Sequence, residues 1–370
     1  MVKRKKTSTK PEDLMAFFKK QLGSREIPDV EEYISTGSTL LDYAIANKSD
    51  GGVPIGRITE LSGDPGSGKS LISSHILANT QKKGGYAIYI DTEKAAKKDF
   101  MKRVGIDWDN IIYRDNLDTI ESVFEFVDTT VKEIRTYDEK TLITIVWDSV
   151  GGTIPQVRQE SDYLGKAQVG DAARAMSQWL PRINEVVKSG NIAFVCTNQL
   201  RTNINTRNPF ADPNVTMHGR GLPFFASVRV KLTPGSKQKD KMQTIVGITC
   251  HAKVFKNRLG PNHRSTSFPL MFDWGIDDEG SWLEFLKDVG IVPKPAGAWH
   301  TLIINGEEFK FQKTTWKETL QNKKVKDFCL EQIKEQMVIT FDNPPELDID
   351  TDSILEMQQL ADDIEEATNG

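Results

Sequence analysis

Between residues 57 and 199, short apolar runs alternate with segments of helical pattern. The runs are "RITELSG", "YAIYID", "IIYRD", "LITIVWD" and "NIAFVCTN", and the helix-type stretches lie at 69–83, about 95–104, about 118–135 and 167–189. Short, nearly continuous apolar runs rich in β-branched residues suit strands buried on both faces. Strand–helix alternation predicts a mostly parallel sheet with helices on both sides. After residue 223 the pattern changes to successive strands, "ASVRVKL", "IVGITCHAKVF" and "RSTSFPLMF", which predicts antiparallel strands extending the sheet. Ahead of this core, "PEDLMAFFKKQL" reads as a short amphipathic helix with Pro11 in its first turn. "STGSTLLDYAIA" reads as a helix capped at Ser38 or Thr39. Residues 279–335 read as a small α+β appendage, with "SWLEFLKDVGIV" helical and "WHTLIINGEEFKF" a hairpin turning at Asn305-Gly306.

Composition narrows the class. The 370 residues are 38% hydrophobic and 27% charged, the balance of a globular protein with a substantial core. No apolar run approaches a membrane span, and the basic start "MVKRKK" lacks the apolar stretch of a signal peptide, so a cytoplasmic location is expected. Cys196, Cys250 and Cys329 have no metal-ligand spacing and suggest no disulfide framework, and the first two fall in strand-like runs expected to be core. Net charge is −4 but uneven. Residues 342–370 carry ten acids and no Lys or Arg, which leaves 48 basic against 42 acidic residues, a net +6, in the remainder. A basic body with an acidic tail hints at nucleic-acid contact.

The stretch "GDPGSGKS" at 63–70 has the form G-x-x-x-x-G-K-[ST] and sits between a strand-like run and a helix. Residues Gly63, Asp64, Pro65, Gly66, Ser67, Gly68, Lys69 and Ser70 therefore form a candidate phosphate-binding loop. The glycines let backbone N–H groups approach phosphate oxygens, and the helix that follows turns its positive end toward the anion. Lys69 reaches the β- and γ-phosphates, and the Ser70 hydroxyl ligates Mg²⁺. Asp148, ending "LITIVWD", is the candidate second Mg²⁺ ligand, the alternative being a plain strand-end acid. Glu93 follows "YAIYID" closely, and in a parallel sheet such strand ends gather at one rim beside the phosphates. It is the best candidate to activate the attacking water, and a solvated loop acid is the alternative. Gln199 ends "NIAFVCTNQ" at the same rim and is a candidate γ-phosphate contact or a structural amide.

Taken together, "ISTGSTLLD", "GRITELSGDPGSGKS", "YAIYIDTEKA", "VWDSV", "QVGDAARAMSQWL", "TNQLR", "FFASVRV", "FKNRLGP" and "AGAW" occur in the order and spacing of bacterial RecA-type recombinases. The chain resembles that family, and related phage recombinases, over about residues 25–325. The resemblance implies a RecA-type P-loop ATPase core of mostly parallel sheet with added antiparallel strands, plus a small α+β C-terminal domain. It implies residues 1–34 as an N-terminal polymerisation or linker segment, 35–275 as the core, 276–340 as the small domain and 341–370 as an acidic disordered tail. It makes Glu93 the catalytic base and Gln199 the γ-phosphate sensor. It places single-stranded DNA on two loops, about 155–168 and 201–222, the second carrying Arg201, Arg207, Phe210, Gly219, Arg220 and Gly221. That second segment suits the task by itself, being long, basic and supplied with an aromatic for stacking or wedging. Arg174 and Ser177 fall at DNA-region positions.

The resemblance also matches Lys256 and Arg258 to basic residues that reach the neighbouring subunit's nucleotide, and Phe224 to an interface aromatic. The other readings are a basic patch on DNA phosphate for the pair and plain core for Phe224. There are departures. Lys97 replaces an acid near the base, Phe100 replaces a tyrosine there, Pro181 replaces a DNA-region arginine with Arg182 beside it, and Pro223 replaces a lysine. The expected function is an ATP- and Mg²⁺-dependent recombinase that forms helical filaments on single-stranded DNA and exchanges strands with homologous duplex. Single-strand-binding and mediator proteins are further candidate partners. A ring helicase on the same core and a non-catalytic, nucleotide-switched single-strand binder are the alternatives. The acidic tail is expected to compete with duplex DNA for the basic surface, or to serve solubility or docking.

Overall fold

In "ITIVWD" the side chains alternate between two apolar layers. Ile143, Ile145 and Trp147 enter one cluster with Phe124, Met176, Leu180 and Phe194. Val146 faces the other, with Ile72, Ile76, Leu77, Tyr89 and Val195. All six residues of this strand are buried, which is why the sequence shows a continuous apolar run rather than alternation. Each fully buried aliphatic side chain here contributes about 1.5–3 kcal/mol.

The computed structural model describes residues 11–23, 30–160, 170–202, 214–217, 219–294 and 297–340. The strands are β1 (Tyr33–Ile34), β2 (Val53–Pro54), β3 (Ile58–Gly63), β4 (Tyr86–Asp91), β5 (Ile111–Arg114), β6 (Ile143–Asp148) and β7 (Ile192–Thr202). They continue as β8 (Asn214–Thr216), β9 (Val228–Lys239), β10 (Ile245–Asn257), β11 (Arg264–Met271), β12 (Gly275–Ile276), β13 (Trp299–Ile304) and β14 (Glu307–Gln312). The helices are α1 (Pro11–Gln21), α2 (Thr39–Ala46), α3 (Lys69–Lys82), α4 (Lys98–Val104), α5 (Ile120–Tyr137) and α6 (Gln156–Glu160). They continue as α7 (Asp171–Ser189), α8 (Gly221–Phe225), α9 (Asp278–Asp288), α10 (Trp316–Thr319) and α11 (Lys323–Met337).

One sheet runs in the order β12-β11-β10-β9-β3-β7-β6-β4-β5, with β8 on β7. From β9 through β3 to β5 every pairing is parallel, and from β9 outward through β10 and β11 to β12 every pairing is antiparallel. That is the expected α/β core with its antiparallel extension. β13 and β14 form the expected hairpin, with Asn305 at φ 51° and Gly306 at φ 84°, the paired left-handed residues a two-residue turn needs. The chain divides into two units, Met1–Val338 and Ile339–Gly370. In the first, α9, the hairpin, α10 and α11 bring Trp282, Phe311, Trp316 and Cys329 into the same apolar cluster as Leu41 and Val230. The second, from residue 341 on, lies outside the described residues, as does the acidic tail expected there.

Several segments differ from expectation. The helix read from 167 starts at Asp171, after Gly170 at φ 114°, and it accommodates Pro181 in its interior. The segment 201–222, expected to be a loop throughout, is strand at both flanks of 203–213. Leu200, Arg201 and Thr202 pair with Thr216, Val215 and Asn214. The β-branched Thr202, Val215 and Thr216 favour this extended pairing. Gly221 opens α8. Within 155–168, residues Gln156–Glu160 are helical. Residues 161–169 and 203–213, and with them Arg207 and Phe210, lie outside the described residues, and Arg201 is placed by its backbone alone.

Candidate active site

β3 ends at Gly63, and the chain turns through Gly66 at φ 75° and Gly68 at φ 99° into α3. Only glycine tolerates these turns well, and a Cβ on Gly68 would stand 2.2 Å from Leu270 Cδ1. Lys69 Nζ donates to the carbonyls of Gly63 at 2.8 Å and Asp64 at 2.9 Å. Burial pulls this ammonium below its ordinary value, while the charges of Asp148, Glu93 and Asp64 pull it back up.

The three rim residues converge. Asp148, at the end of β6, is buried; its Oδ2 accepts from Tyr89 Oη at 2.9 Å and its Oδ1 from Thr197 Oγ1 at 2.5 Å. Burial raises its carboxyl, and hydrogen bonds from Ser70, Thr197 and Tyr89 offset part of that rise. Glu93 Oε1 accepts from Ser149 Oγ and from Gln199 Nε2, the latter at 3.1 Å. Both donors use one oxygen of the carboxylate, and the residue is exposed to the cleft. The loop carrying Glu93 is held at its base by Asp91, whose oxygens accept from the backbone N–H groups of Ala95 and Ala96 and from Tyr113 Oη.

Asp148, Glu93, Tyr89 and Asp91 line a cleft of about 360 Å³ together with Gly66, Gly68 and Ser70 of the loop and with Lys97 and Phe100. Lys69 and Gln199 stand beside it, held by the loop carbonyls and by Glu93. The far wall is Ile248 of β10, Leu270 of β11 and Phe272 just past it. Sequence reasoning missed that wall, since only the long-range pairing of β9, β10 and β11 brings it there. It also missed Tyr89, Thr197 and Ser149. The period-two spacing of Thr197 from Gln199, and the adjacency of Ser149 to Asp148, are the signals that were available. The hydroxyl of Ser70 and the carboxylate of Asp148 both line the cleft, two hard oxygen donors of the kind Mg²⁺ takes. Among the described residues no cluster of three His, Cys, Asp or Glu could hold a metal alone.

Lys256 and Arg258 lie elsewhere. Ile248 faces the cleft, and Lys256 stands eight positions further along β10, about 26 Å at roughly 3.3 Å per residue. Lys256 Nζ donates to Pro223 O at 2.7 Å and Phe224 O at 3.0 Å, and Arg258 Nη2 to Phe224 O at 3.1 Å. Burial, helped by Arg258 and Arg229, pushes the Lys256 ammonium down to about 8. The Phe224 ring is 64% exposed, so it is not core.

The sequence model of the RecA N-terminal domain matches residues 16–277. The chain belongs to the RecA family. It is similar to Protein RecA of Streptomyces venezuelae, 36% identical over 270 residues that cover 73% of this chain and 68% of that one. It is likewise similar to Protein RecA of Bifidobacterium breve, 35% identical over 281 residues (76% and 68%), and of Desulforapulum autotrophicum, 35% identical over 281 residues (76% of each). As a RecA family member it is an ATP-dependent protein of homologous recombination and strand exchange, a class that binds DNA and forms filaments. None of the helices among the described residues is long and apolar enough to cross a membrane.

Within this RecA fold Arg174, Ser177, Gly219, Arg220 and Gly221 form one neighbourhood. Arg174 and Ser177 are exposed on α7; Arg174 pairs with Asp171, and Ser177 Oγ donates to Ala173 O. The turn at Gly219 packs against the same helix, where a Cβ would meet Ala173 Cβ at 2.7 Å, and Gly221 faces Met176 and Leu180. Arg220 is exposed between them. Arg182 stands beside Pro181 on α7. It pairs with Asp128 of α5 and lies against the Trp179 ring.

Proposed function

We propose that the cleft binds ATP with Mg²⁺ and hydrolyses it when a second subunit closes the open side. In this reading the loop N–H groups and Lys69 hold the phosphates, Ser70 and Asp148 hold the ion, and Phe100 offers its ring to the base. The ion supplies charge neutralisation at the phosphates. Glu93 takes the proton of the attacking water with its second carboxylate oxygen, the one not engaged by Ser149 and Gln199. Gln199 gives up Glu93 when a γ-phosphate offers a better acceptor.

The 3.1 Å contact between Gln199 and Glu93 carries this reading. It joins the catalytic carboxylate to the strand that runs directly into the second DNA segment, so nucleotide state can order that segment. Arg201, Arg207, Phe210, Gly219, Arg220 and Gly221, with Arg174 and Ser177, then hold single-stranded DNA by phosphate contact and stacking, largely without regard to sequence.

The placement of Lys256 and Arg258 supports a role in trans. At the far end of β10 they cannot serve their own chain's phosphates, but they can face the next subunit's nucleotide in a filament. α1, which exposes Met15, Phe17 and Phe18, is the proposed contact for polymerisation. The test is subunit mixing. Lys256→Ala and Glu93→Gln are each expected to lose turnover. Mixed, they regain activity at interfaces where an intact Glu93 meets an intact cation pair. Absence of recovery, with co-assembly demonstrated, overturns the trans assignment.

A further inference from the structure

A row of charged side chains crosses the sheet at one level. Glu60 of β3 is in register with Arg229 of β9, and Arg229 with Lys256 of β10. Glu60 is fully buried, and its two oxygens are committed in different directions. Oε2 accepts from Arg229 Nε, and Oε1 accepts from Asn198 Nδ2 at 2.9 Å. The Arg229 guanidinium lies 4.5 Å from the centre of the Phe255 ring, and Lys256 beyond it grips the carbonyls of Pro223 and Phe224. At the other end, Asn198 precedes Gln199. The two residues pair with Ser62 and Gly63, the last residues of β3.

A buried ion pair is a poor source of stability, because a well-packed apolar pair of similar volume often does as well or better. This one instead joins three strands between the rim of the nucleotide cleft and the exposed Phe224 edge. We propose that Glu60 is a positioning residue that couples Gln199 to Lys256, so that nucleotide contact in one subunit sets the pose of the cations offered to the next. A shift of Gln199 carries Asn198 with it along the rigid strand. Asn198 draws on one oxygen of Glu60, and Arg229, held by the other oxygen, transmits the shift to its neighbour Lys256. The inference rests on the roles given above to Gln199 and Lys256.

The experiment is ATP turnover against ATP concentration for the full chain on saturating single-stranded DNA. Two variants are compared with the unmodified chain: Glu60→Gln/Arg229→Met, which removes both charges at similar volume, and Asn198→Ala, which leaves the ion pair intact. In each, cooperativity in ATP is expected to vanish and half-saturating ATP to rise at least about fivefold, the low end of ordinary coupling. kcat should fall by less than that. A merely structural role would lower thermal stability without flattening the saturation curve. Should the double variant fail to fold, Asn198→Ala carries the test alone. A folded variant that stays as cooperative as the unmodified chain overturns the link while the trans reading stands. A non-cooperative unmodified chain, together with normal turnover in Lys256→Ala, overturns the trans reading itself.

Discussion

Glu93→Gln isolates the proposed catalytic role of the carboxylate from its structural one. In the folded chain, Ser149 Oγ and Gln199 Nε2 both donate to the same oxygen, Oε1. A glutamine keeps that acceptor in place, so both contacts survive, and only the second oxygen is replaced, by an amide that cannot take a proton. Glu93 also contributes negative charge beside Lys69 and Asp148. Its removal should leave affinity for the anionic nucleotide equal or slightly higher. General-base catalysis is worth about 10²–10⁴ in rate, or roughly 2.7–5.4 kcal/mol at 1.36 kcal/mol per tenfold. DNA-stimulated turnover should fall by at least about 10²-fold. Binding of a fluorescent ATP analogue and of single-stranded DNA should stay within roughly threefold, the low end of what one lost hydrogen bond produces. Phosphate release under saturating DNA measures the first, and fluorescence titration the second. Turnover above about a tenth of the unmodified rate would place the base elsewhere.

Other tests address separate parts of the site. Gly68→Ala forces a side chain into a left-handed conformation, a cost of about 1–2 kcal/mol, and into Leu270. ATP-analogue affinity should drop at least about tenfold, the equivalent of 1.36 kcal/mol, with a lower melting temperature in calorimetry. The Lys256 ammonium, pushed down to about 8 in the isolated chain, is drawn back up by the phosphates it meets across the interface, so turnover should decline as pH rises above that value. Lys256→Arg, whose guanidinium stays charged, should flatten the decline, and an unchanged profile would remove Lys256 from the rate-limiting interface. A chain ending at Phe341 lacks the ten acids of 342–370 and should bind duplex DNA more tightly, most at low salt. Superimposable salt curves would exclude competition by the tail.

How far the site was legible depended on chain distance. The phosphate loop is a local signature, and glycine spacing alone indicates its geometry. Asp148, Glu93 and Gln199 were readable because parallel strands place their C-terminal ends at one rim, so each strand could be read separately. The wall of Ile248, Leu270 and Phe272 was not readable. These residues sit on antiparallel strands whose register is set by pairings such as Ile248 with Leu270, and nothing in either run announces its partner. Glu60 was hidden for a similar reason. In "RITELSG" an acid between apolar residues looks like ordinary alternation, and its partner Arg229 is 169 positions away. The segment 201–222 was misread at its flanks because a long polar, glycine-containing stretch carries little periodicity. The β7–β8 pairing that orders those flanks depends on the two strands meeting.

The central claim is that ATP is held between successive subunits of a helical assembly on DNA. Electron microscopy of the chain on single-stranded DNA with a slowly hydrolysed ATP analogue tests this most directly. The expected result is a continuous helical filament, with density for Lys256 and Arg258 of one subunit at the phosphates bound by Gly63–Ser70 of the next. Closed rings on DNA, or a filament whose nucleotide contacts a single subunit, would contradict it.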